Sequence, residues 1–488
     1  MFTVGFYKFA PKLLPKIGRI CNTRIHLTPN MTHNPNLLKP PEHVSGLTTL
    51  NKSLFEKTVT LPCLVIKDVK ISSVLPHVKK FLLKLDNFKP VRNISENEAH
   101  IYLNPDLVTR WSDLSADTPL LTESNLQMQT CTLTYDNFSL ESVLRAVLPP
   151  QIEGTSSFTK VGHIVHVNLR EHLLPYKDLI GQVLYEKVAN CRTVVNKVAI
   201  IDNTYRNFNM EVLQGDDDML TSVKENKCVF EFDFSKVYWN SRLCTEHERI
   251  VTMVASGDVV FDVFAGVGPF SVPLAKKKCR VFANDLNPES FKWLNHNLKK
   301  NKVASGCCDS YNKDGKDFIM NEVRNLLPGF LNTKKVYILM NLPALAVDFL
   351  GCFVGLFDDS ELAQEFDAPV VVVYCFAKGE NCEQIAKNLL FEKVGWDISD
   401  KIIDLFRVRT VSSLKEMMRI RFKLDREILV KSGNQKRKQA PESGDLTAKK
   451  CRHGEKQEED QQRVQSGRSQ ESETQNQSES GQNGAEKD

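Results

Sequence analysis

From about Tyr238 the sequence alternates between short apolar runs and stretches with amphipathic helical spacing, and this alternation constrains the fold more than any other feature. Four runs have the length of buried strands: 259–261, 281–283, 336–340 and 370–376. Alternating strands and helices predict a parallel, doubly wound α/β sheet. Asp262, Asp285 and Asn341 follow three of the runs, at the carboxyl ends of strands where such sheets bind ligands.

The first strand end continues into a glycine-containing segment. Gly266 and Gly268 allow a tight turn and close approach to a ligand, although the same spacing also suits an ordinary strand-to-helix turn. Ser271 stands where a dinucleotide fingerprint that begins at Gly266 has its third glycine, which argues against NAD. Asp285, about 20 residues on, is placed to accept ribose hydroxyls, while Asn287 beside it can simply cap a helix. An adenosine-type ligand without pyrophosphate fits, and S-adenosylmethionine is the common one.

Composition narrows the class of protein. The 13 cysteines contain no CxxC pair, so neither a zinc cluster nor a disulfide framework is indicated, and no metal site is visible. No apolar run is long enough to span a membrane, so no membrane partner is expected. Residues 1–41 hold six basic residues and no acid, a pattern typical of a mitochondrial transit peptide or of a basic arm. From Lys431 the chain is polar and has no aromatic residue, which predicts a disordered tail.

A charged segment precedes the first strand. Arg242 and Glu246 are four residues apart and therefore share one face of a predicted helix. These charges can simply be the solvated first turn of a helix, with Glu246 well placed for the helix dipole. Further upstream, Arg206 can pair with Asp202 on a surface.

Several segments in fixed order resemble one family. They are DVFAGVGPFSVPLAKK, VFANDLNPES, NKDGKDF and MNLPALAVDFL, preceded by VYWNSRLCTEHERI, GHIVHVNLRE and NTYRNFNMEVLQG. Together they look like the eukaryotic tRNA (guanine-37 N1)-methyltransferase family, over roughly residues 155–425. The resemblance implies a Rossmann-like class I fold that transfers a methyl group from S-adenosylmethionine to N1 of guanine 37 next to the tRNA anticodon, supporting reading-frame maintenance. It also implies a monomer.

The resemblance implies a role for each matching residue. Glu246 matches the general base, Arg206 the cation near the guanine oxygen, Arg242 a supporting contact and Tyr238 a residue lining the pocket. Asn341 matches a residue near the target base and the methionine end of the cofactor. The implied cofactor-binding residues are His247, Asp262, Gly266, Gly268, Asp285, Leu286, Asp314, Gly315 and Asn341. Ser241 departs from the proline that family members commonly have there, which predicts a less rigid loop.

The resulting expectation for the whole chain has five segments: 1–41, a transit-peptide-like basic segment; 42–154, an N-terminal domain; 155–235, a small α/β domain facing RNA; 236–430, the methyltransferase domain; and 431–488, the disordered tail. For tRNA contact, Arg407 and Arg409 alternate on one predicted strand, and Arg419, Arg421 and Lys423 on another. The same pattern is expected for an edge strand whose charged side chains prevent pairing with other chains.

Two alternatives stay open. A sister family uses the same cofactor to donate an aminocarboxypropyl group to a wybutosine precursor in tRNA, and a non-catalytic RNA-binding protein can keep the fold. Asn341-Leu342-Pro343 and His247 favour the methylating branch. The predicted location is the mitochondrial matrix, with nuclear and cytoplasmic pools.

Overall fold

The computed structural model describes residues 36–114, 120–149, 157–202 and 207–430 of the 488-residue chain. The predicted transit-peptide-like segment up to residue 35, the polar tail from Lys431 and Arg206 lie outside these residues. The chain divides into two compact units. The first unit comprises the chain up to Val251 together with Gly266–Pro273 and Asn287–Val303, and the second comprises Thr252–Ala265, Leu274–Leu286 and the chain from Ala304.

The first unit begins with a four-stranded antiparallel sheet whose strand order is β2-β3-β1-β4. Its elements are β1 (Lys57–Lys67), α1 (Ile71–Val78), β2 (Val91–Asn93), β3 (Glu98–Tyr102), β4 (Leu126–Leu133) and α2 (Leu140–Val147). The central strand β1 is buried on both faces: Leu61 and Cys63 enter one apolar cluster, and Leu64 and Ile66 enter another. An apolar run with this double burial explains why β1 shows no simple alternation in the sequence.

A second four-stranded sheet in this unit has the order β5-β6-β7-β8. Its elements are β5 (Thr159–Val161), β6 (Ile164–Val167), α3 (Lys177–Lys187), β7 (Thr193–Asp202) and β8 (Asn207–Gly215). Strands β6 and β7 are parallel and are connected through α3, as the sequence predicts for a small α/β arrangement. Val165 and Val183 share a core with Leu61 and Val143 of the first sheet, so the two sheets are packed together.

The first unit also contains a two-stranded hairpin and two helices: β9 (Leu220–Glu225), β10 (Cys228–Asp233), α4 (Cys244–Met253), which runs past the end of the unit, and α6 (Pro288–Lys300). Asn226 and Lys227 both have positive φ, the backbone of a type I′ turn. The buried Asn297 of α6 accepts a hydrogen bond from the Glu231 amide at 2.8 Å. This bond fixes the hairpin against the helix.

The second unit is built on a seven-stranded sheet with the order β13-β12-β11-β14-β15-β17-β16. The strands are β11 (Val259–Asp262), β12 (Arg280–Asn284), β13 (Cys308–Tyr311), β14 (Val336–Met340), β15 (Val370–Lys378), β16 (Ile402–Ser412) and β17 (Lys415–Lys423). Strands β11 to β15 pair in parallel, and β17 and β16 join antiparallel. This is the predicted doubly wound sheet, with an antiparallel hairpin at one edge.

Helices and one large apolar core accompany this sheet. They are α5 (Ser271–Lys276), which begins in the first unit, α7 (Gly315–Asp317), a π-helical turn (Phe318–Val323), α8 (Arg324–Leu326), a 3-10 helix (Ala346–Phe353), α9 (Cys382–Val394) and α10 (Arg426–Leu429). Phe261 and Phe282 stack at 4.9 Å between ring centroids within the core. No described helix is long and apolar enough to cross a membrane. Within the described ranges, no three His, Cys, Asp or Glu side chains are grouped to hold a metal ion.

Candidate active site

Polar residues meet at one edge of the seven-stranded sheet. Asp262 is the last residue of β11 and is fully buried, and its strand pairs in parallel with both β12 and β14. Asp285 and Asn341 directly follow those two neighbouring strands. Because parallel strands end at the same edge, the three side chains belong to one group, as the sequence predicts.

Burial, followed by the carboxylate of Asp262, raises the pKa of the Cys308 thiol on β13 to about 12, so that thiol is not a nucleophile at neutral pH.

Asn284 organises this edge, and the sequence analysis did not identify it. Its buried amide nitrogen donates to the carbonyls of Val263 at 3.1 Å and Lys313 at 2.9 Å. Its amide oxygen accepts a hydrogen bond from the Lys313 backbone N–H at 3.0 Å. One side chain thus ties together the loops that follow β11, β12 and β13, whose backbone polar groups would otherwise be buried without partners.

The loop after β12 carries Asp285 and Leu286. Their backbone carbonyls both accept hydrogen bonds from the side-chain nitrogen of Asn312, at 2.8 and 2.9 Å. The side chain of Leu286 is 40% exposed. A carboxylate beside an exposed apolar side chain matches the two needs of a nucleoside, a hydroxyl acceptor and a flat apolar contact.

Asp314 and Gly315 form the corner after β13. The Asp314 carboxylate accepts from the Lys316 amide at 2.8 Å and so caps the helix that follows. A Cβ at Gly315 would lie 2.8 Å from the Phe264 ring and 3.1 Å from the Phe349 ring. Glycine is therefore required for close packing at this position, whatever ligand binds nearby.

Asn341 stands at the end of β14, and its turn is fixed by backbone hydrogen bonds. The Leu342 carbonyl accepts from Ala346 at 2.7 Å, and the Pro343 carbonyl accepts from Phe376 at 3.0 Å. The side-chain oxygen of Asn341 is buried and has no hydrogen-bond partner among the described residues. A buried acceptor without a donor costs about 1–3 kcal/mol, so this atom fits a ligand that brings a hydrogen-bond donor.

The glycine-containing segment has a backbone that suits glycine and few other residues. Gly268 has φ +97°, and a Cβ there would lie 2.6 Å from Val272 and 2.7 Å from Leu294, whereas Gly266 has φ +56° and open space around it. The side chains of Val272 and Leu294 thus fill the space beside Gly268 and leave no room for a Cβ. Helix α5 begins at Ser271, two residues after Pro269.

These two glycines give a matched pair of variants. We expect Gly268→Ala to lower the free energy of unfolding by about 2–3 kcal/mol. The added Cβ would overlap Val272 and Leu294, and alanine rarely adopts this positive φ. Gly266→Ala should lower the free energy of unfolding by only about 1 kcal/mol, because a Cβ there has open space and only the positive φ is unfavourable. Urea unfolding of both full-length variants measures the difference, and equal stabilities would contradict the packing described for Gly268.

The candidate catalytic residues lie in the first unit, on the segment that enters α4. A 3-10 turn (Ser241–Leu243) is capped by the Asn240 side chain, whose oxygen accepts from the Arg242 amide at 3.2 Å. Arg242 is exposed and donates to the Thr159 hydroxyl at 3.2 Å. Tyr238 is 54% exposed, and its hydroxyl accepts from Asn240. The segment from Tyr238 to Arg242 therefore exposes a tyrosine and an arginine to solvent.

Glu246 and His247 are buried to 3% exposure in the first turn of α4. The interpretation of Glu246 as part of a solvated helix end is therefore wrong. Its carboxylate forms an ion pair with Arg249 one turn later on the helix. A buried carboxylate is costly unless it is paired or functional, and Glu246 is paired with Arg249.

His247 is held by Glu225, a residue that the sequence analysis did not single out. The ring nitrogen Nδ1 lies 2.6 Å from the Glu225 carboxylate, and both side chains are at most 10% exposed. The ring packs edge-on against Phe270 at 4.9 Å and lies 6.3 Å from the Trp239 ring. The neutral ring therefore carries its proton on Nδ1, which donates to Glu225, and Nε2 carries no proton.

Removing the Glu225 carboxylate tests this arrangement. We expect Glu225→Ala to destabilise the protein by about 1–3 kcal/mol, because the buried imidazole loses its acceptor. Glu225→Gln keeps an acceptor oxygen and should be close to the wild type. Urea unfolding compares the stabilities of the two variants. A Glu225→Ala protein as stable as the wild type would show that the contact with His247 does not stabilise the fold.

The predicted cationic face on β16 and β17 is only partly present. Arg419 is 5% exposed, with its guanidinium over the Phe406 ring at 4.9 Å and 3.8 Å from Asp404. Arg421 binds the same carboxylate, with its Nε at 2.9 Å. The prediction that Arg419 contacts tRNA is wrong, because this side chain is buried against Phe406 and Asp404, and Arg421 is engaged by Asp404 and Met253. Arg407 is exposed and pairs with Glu416 at 3.1 Å.

Comparison with known proteins gives the family. A family model described as the TRM5/TYW2 methyltransferase domain matches residues 221–364, and one described as the TYW2 N-terminal domain matches residues 140–218. A tRNA (guanine(37)-N(1))-methyltransferase of Drosophila melanogaster is 47% identical over 404 residues, covering 80% of this chain and 88% of the relative. The chain belongs to the tRNA (guanine(37)-N(1))-methyltransferase family. A relative of that name from Macaca mulatta is 43% identical over 408 residues, covering 81% of this chain and 80% of its own.

Solved structures agree on the fold of this methyltransferase. Trm5b from Pyrococcus abyssi superposes with a TM-score of 0.52 at 22% identity, covering 74% of this chain and 99% of that one. The aTrm5 chain from its complex with tRNALeu also gives a TM-score of 0.52 at 22% identity, covering 75% of this chain and all of that one. At this identity the likeness establishes a shared fold, and the roles of individual residues stay predictions.

Proposed function

We propose that this protein transfers a methyl group from S-adenosylmethionine to N1 of guanine 37 in tRNA. Family membership carries the proposal, because relatives that are 43–47% identical over most of the chain bear the name of this reaction. The buried Glu246 supports it, since the reaction needs a base and this carboxylate is enclosed in the first turn of α4. Substrate tRNA, the cofactor and the residue roles below are parts of the proposal.

The residues at the strand ends fit S-adenosylmethionine. Asp285 would accept the ribose hydroxyls, Leu286 would contact the adenine, and Asp314 and Gly315 would border it. The unpaired buried oxygen of Asn341 fits a donor such as the ammonium group of the methionine portion. His247, Asp262, Gly266 and Gly268 complete the proposed set. When bound, S-adenosylmethionine supplies an activated methyl group on a sulfonium ion.

Glu246 is the proposed base for the guanine. N1 of guanine carries a proton at neutral pH, so it becomes a nucleophile only as that proton is removed. The Glu246 carboxylate would take it, and negative charge would spread to O6. Arg206 is the proposed cation for O6, with Arg242 as a supporting contact and Tyr238 lining the site. The target base has to leave its stack to be reached, at a cost of a few kcal/mol.

The nature of the transferred group separates this proposal from the aminocarboxypropyl alternative. Full-length protein is incubated with tRNA and S-adenosylmethionine that carries ¹⁴C either in the methyl group or in the carboxyl carbon of the methionine portion. Methyl transfer labels tRNA only from the first compound, whereas aminocarboxypropyl transfer labels it only from the second. Label from the carboxyl carbon would overturn the proposal. Cofactor binding with no label from either would favour a non-catalytic RNA-binding protein.

Location and assembly are two further parts of the proposal. The basic composition of residues 1–41 supports import into the mitochondrial matrix, with nuclear and cytoplasmic pools. The family resemblance supports a monomer. Fluorescence microscopy of the full chain against a variant that lacks residues 1–41 tests the first point.

A further inference from the structure

A group of three basic side chains lies on one face of the second sheet of the first unit. We call it the cationic cluster and define it as His166 on β6, Lys197 on β7 and Arg242 on the turn before α4. His166 is paired in register with Val195, so Lys197, two residues further along β7, points to the same face. The three side chains come from three separate elements that converge.

Contacts with two further residues place the cluster. The Phe234 ring lies 5.2 Å from the His166 ring and 5.1 Å from the Lys197 ammonium. Thr159 is the register partner of His166 on the neighbouring strand β5, and its hydroxyl accepts from Arg242 at 3.2 Å. The arginine, imidazole and ammonium are therefore arranged around one patch of surface.

The electrostatics of the cluster favour an anion. Burial, followed by the charges of Lys197 and Arg242, lowers the pKa of His166 to about 3. Burial lowers the pKa of Lys197 to about 8. At neutral pH the imidazole of His166 is therefore neutral, while Arg242 and Lys197 carry positive charge on a partly buried surface. An anion that binds beside them is attracted by both charges.

The position of the cluster indicates which anion. Arg242 lies on the same short segment as Tyr238 and Glu246, the residues proposed to act on the target guanine. In a nucleic acid, the anionic groups nearest to a base are the phosphodiesters on either side of its nucleotide. An arginine with two further cationic or polar donors suits phosphate oxygens.

We infer that the cationic cluster binds a backbone phosphodiester of tRNA next to the target guanosine. The inference rests on the proposed function and adds Lys197 and His166 to the residues that contact substrate. Arg242 would then act on the backbone, anchoring the nucleotide whose base reaches Glu246. Phosphate contacts fix register and carry no sequence information, so the cluster would position the substrate without selecting it.

Salt dependence of tRNA binding tests the inference. Full-length Lys197→Met keeps the packing against Phe234 and removes the charge, and the exposed Lys224 on β9 provides a charge-matched control, Lys224→Met. We expect Lys197→Met to weaken tRNA binding about tenfold and to reduce the slope of log K against log salt by about 0.7–1. Lys197→Arg should restore the slope, and S-adenosylmethionine affinity should be unchanged. A slope equal to that of Lys224→Met would overturn the inference.

Neutral backbone substitutions identify the phosphate. Transcripts that carry a single methylphosphonate on either side of nucleotide 37 are measured with the wild type and with Lys197→Met. One substitution should weaken binding to the wild type and have no further effect on the variant, since both changes remove the same contact. Full additivity at both positions would overturn the inference. The inference would also be overturned if inorganic phosphate bound to the cluster while no phosphodiester of the transcript was coupled to Lys197. That result would mark a site for free phosphate.

The outcome is separable from that of the proposed function. Coupling between Lys197 and one phosphodiester is a binding measurement and can be found in the absence of turnover. Conversely, a wild-type protein that methylates guanine 37 but shows no coupling keeps its proposed function and loses this inference. Urea unfolding of Lys197→Met confirms that any loss of binding comes from a folded protein.

Discussion

The Glu246→Gln protein should lose about 10²- to 10⁴-fold in kcat for methyl transfer, the range expected when a positioned general base is removed. Glutamine has nearly the same shape but cannot accept the N1 proton. Its effect on folding should be small, because Arg249, the ion-pair partner, is 39% exposed and can be solvated. Single-turnover assays with saturating tRNA and S-adenosylmethionine measure the chemical step.

Glu248 provides the matched control for this variant. It is an exposed carboxylate on the same helix, two residues away, and Glu248→Gln should retain wild-type kcat. Affinity for S-adenosylmethionine should be unchanged in both variants. A Glu246→Gln protein with normal turnover would remove Glu246 as the base, and the burial of its side chain would then need a structural explanation.

The Asp285→Ala protein should bind S-adenosylmethionine roughly 100-fold more weakly, because a hydrogen bond to a charged group contributes about 1.5–3 kcal/mol and a ribose offers two hydroxyls. The loop itself should persist, since Asn312 holds it through the backbone carbonyls of Asp285 and Leu286. Calorimetric titration with S-adenosylhomocysteine, which avoids turnover, measures the change.

A second aspartate in the same unit controls for loss of charge. The exposed Asp359 pairs with Arg426 at 2.6 Å, and Asp359→Ala should leave cofactor affinity unchanged. An Asp285→Ala protein with wild-type affinity would contradict the placement of the ribose at the end of β12. It would leave the methyltransferase fold intact but move the nucleoside to another strand end.

The fold of the second unit could be predicted because its strands are buried on both faces. Such strands appear in the sequence as continuous apolar runs, and the polar residues that end them are visible without knowledge of tertiary structure. Asp262, Asp285 and Asn341 were found in this way. Their meeting at one edge follows from the parallel order of the strands alone.

Contacts between residues far apart in the chain could not be predicted. Glu225 is on a hairpin 22 residues before His247, and an isolated glutamate at a strand end carries no sign of its partner. The burial of Glu246 has the same origin, since helix periodicity places a charged first turn in solvent and only tertiary packing encloses it. The prediction for Arg419 was wrong for a related reason: strand alternation gives its face of the sheet but not the packing of its guanidinium against Phe406 and Asp404.

Identification of the modified nucleoside tests the central claim most directly. Full-length protein is incubated with S-adenosylmethionine and with two tRNA transcripts that differ only in guanine or adenine at position 37, and the nucleosides are analysed by mass spectrometry after digestion. The account predicts N1-methylguanosine from the guanine transcript and no modified nucleoside from the adenine transcript. Methylation of both transcripts, or of a guanine other than 37, would contradict it.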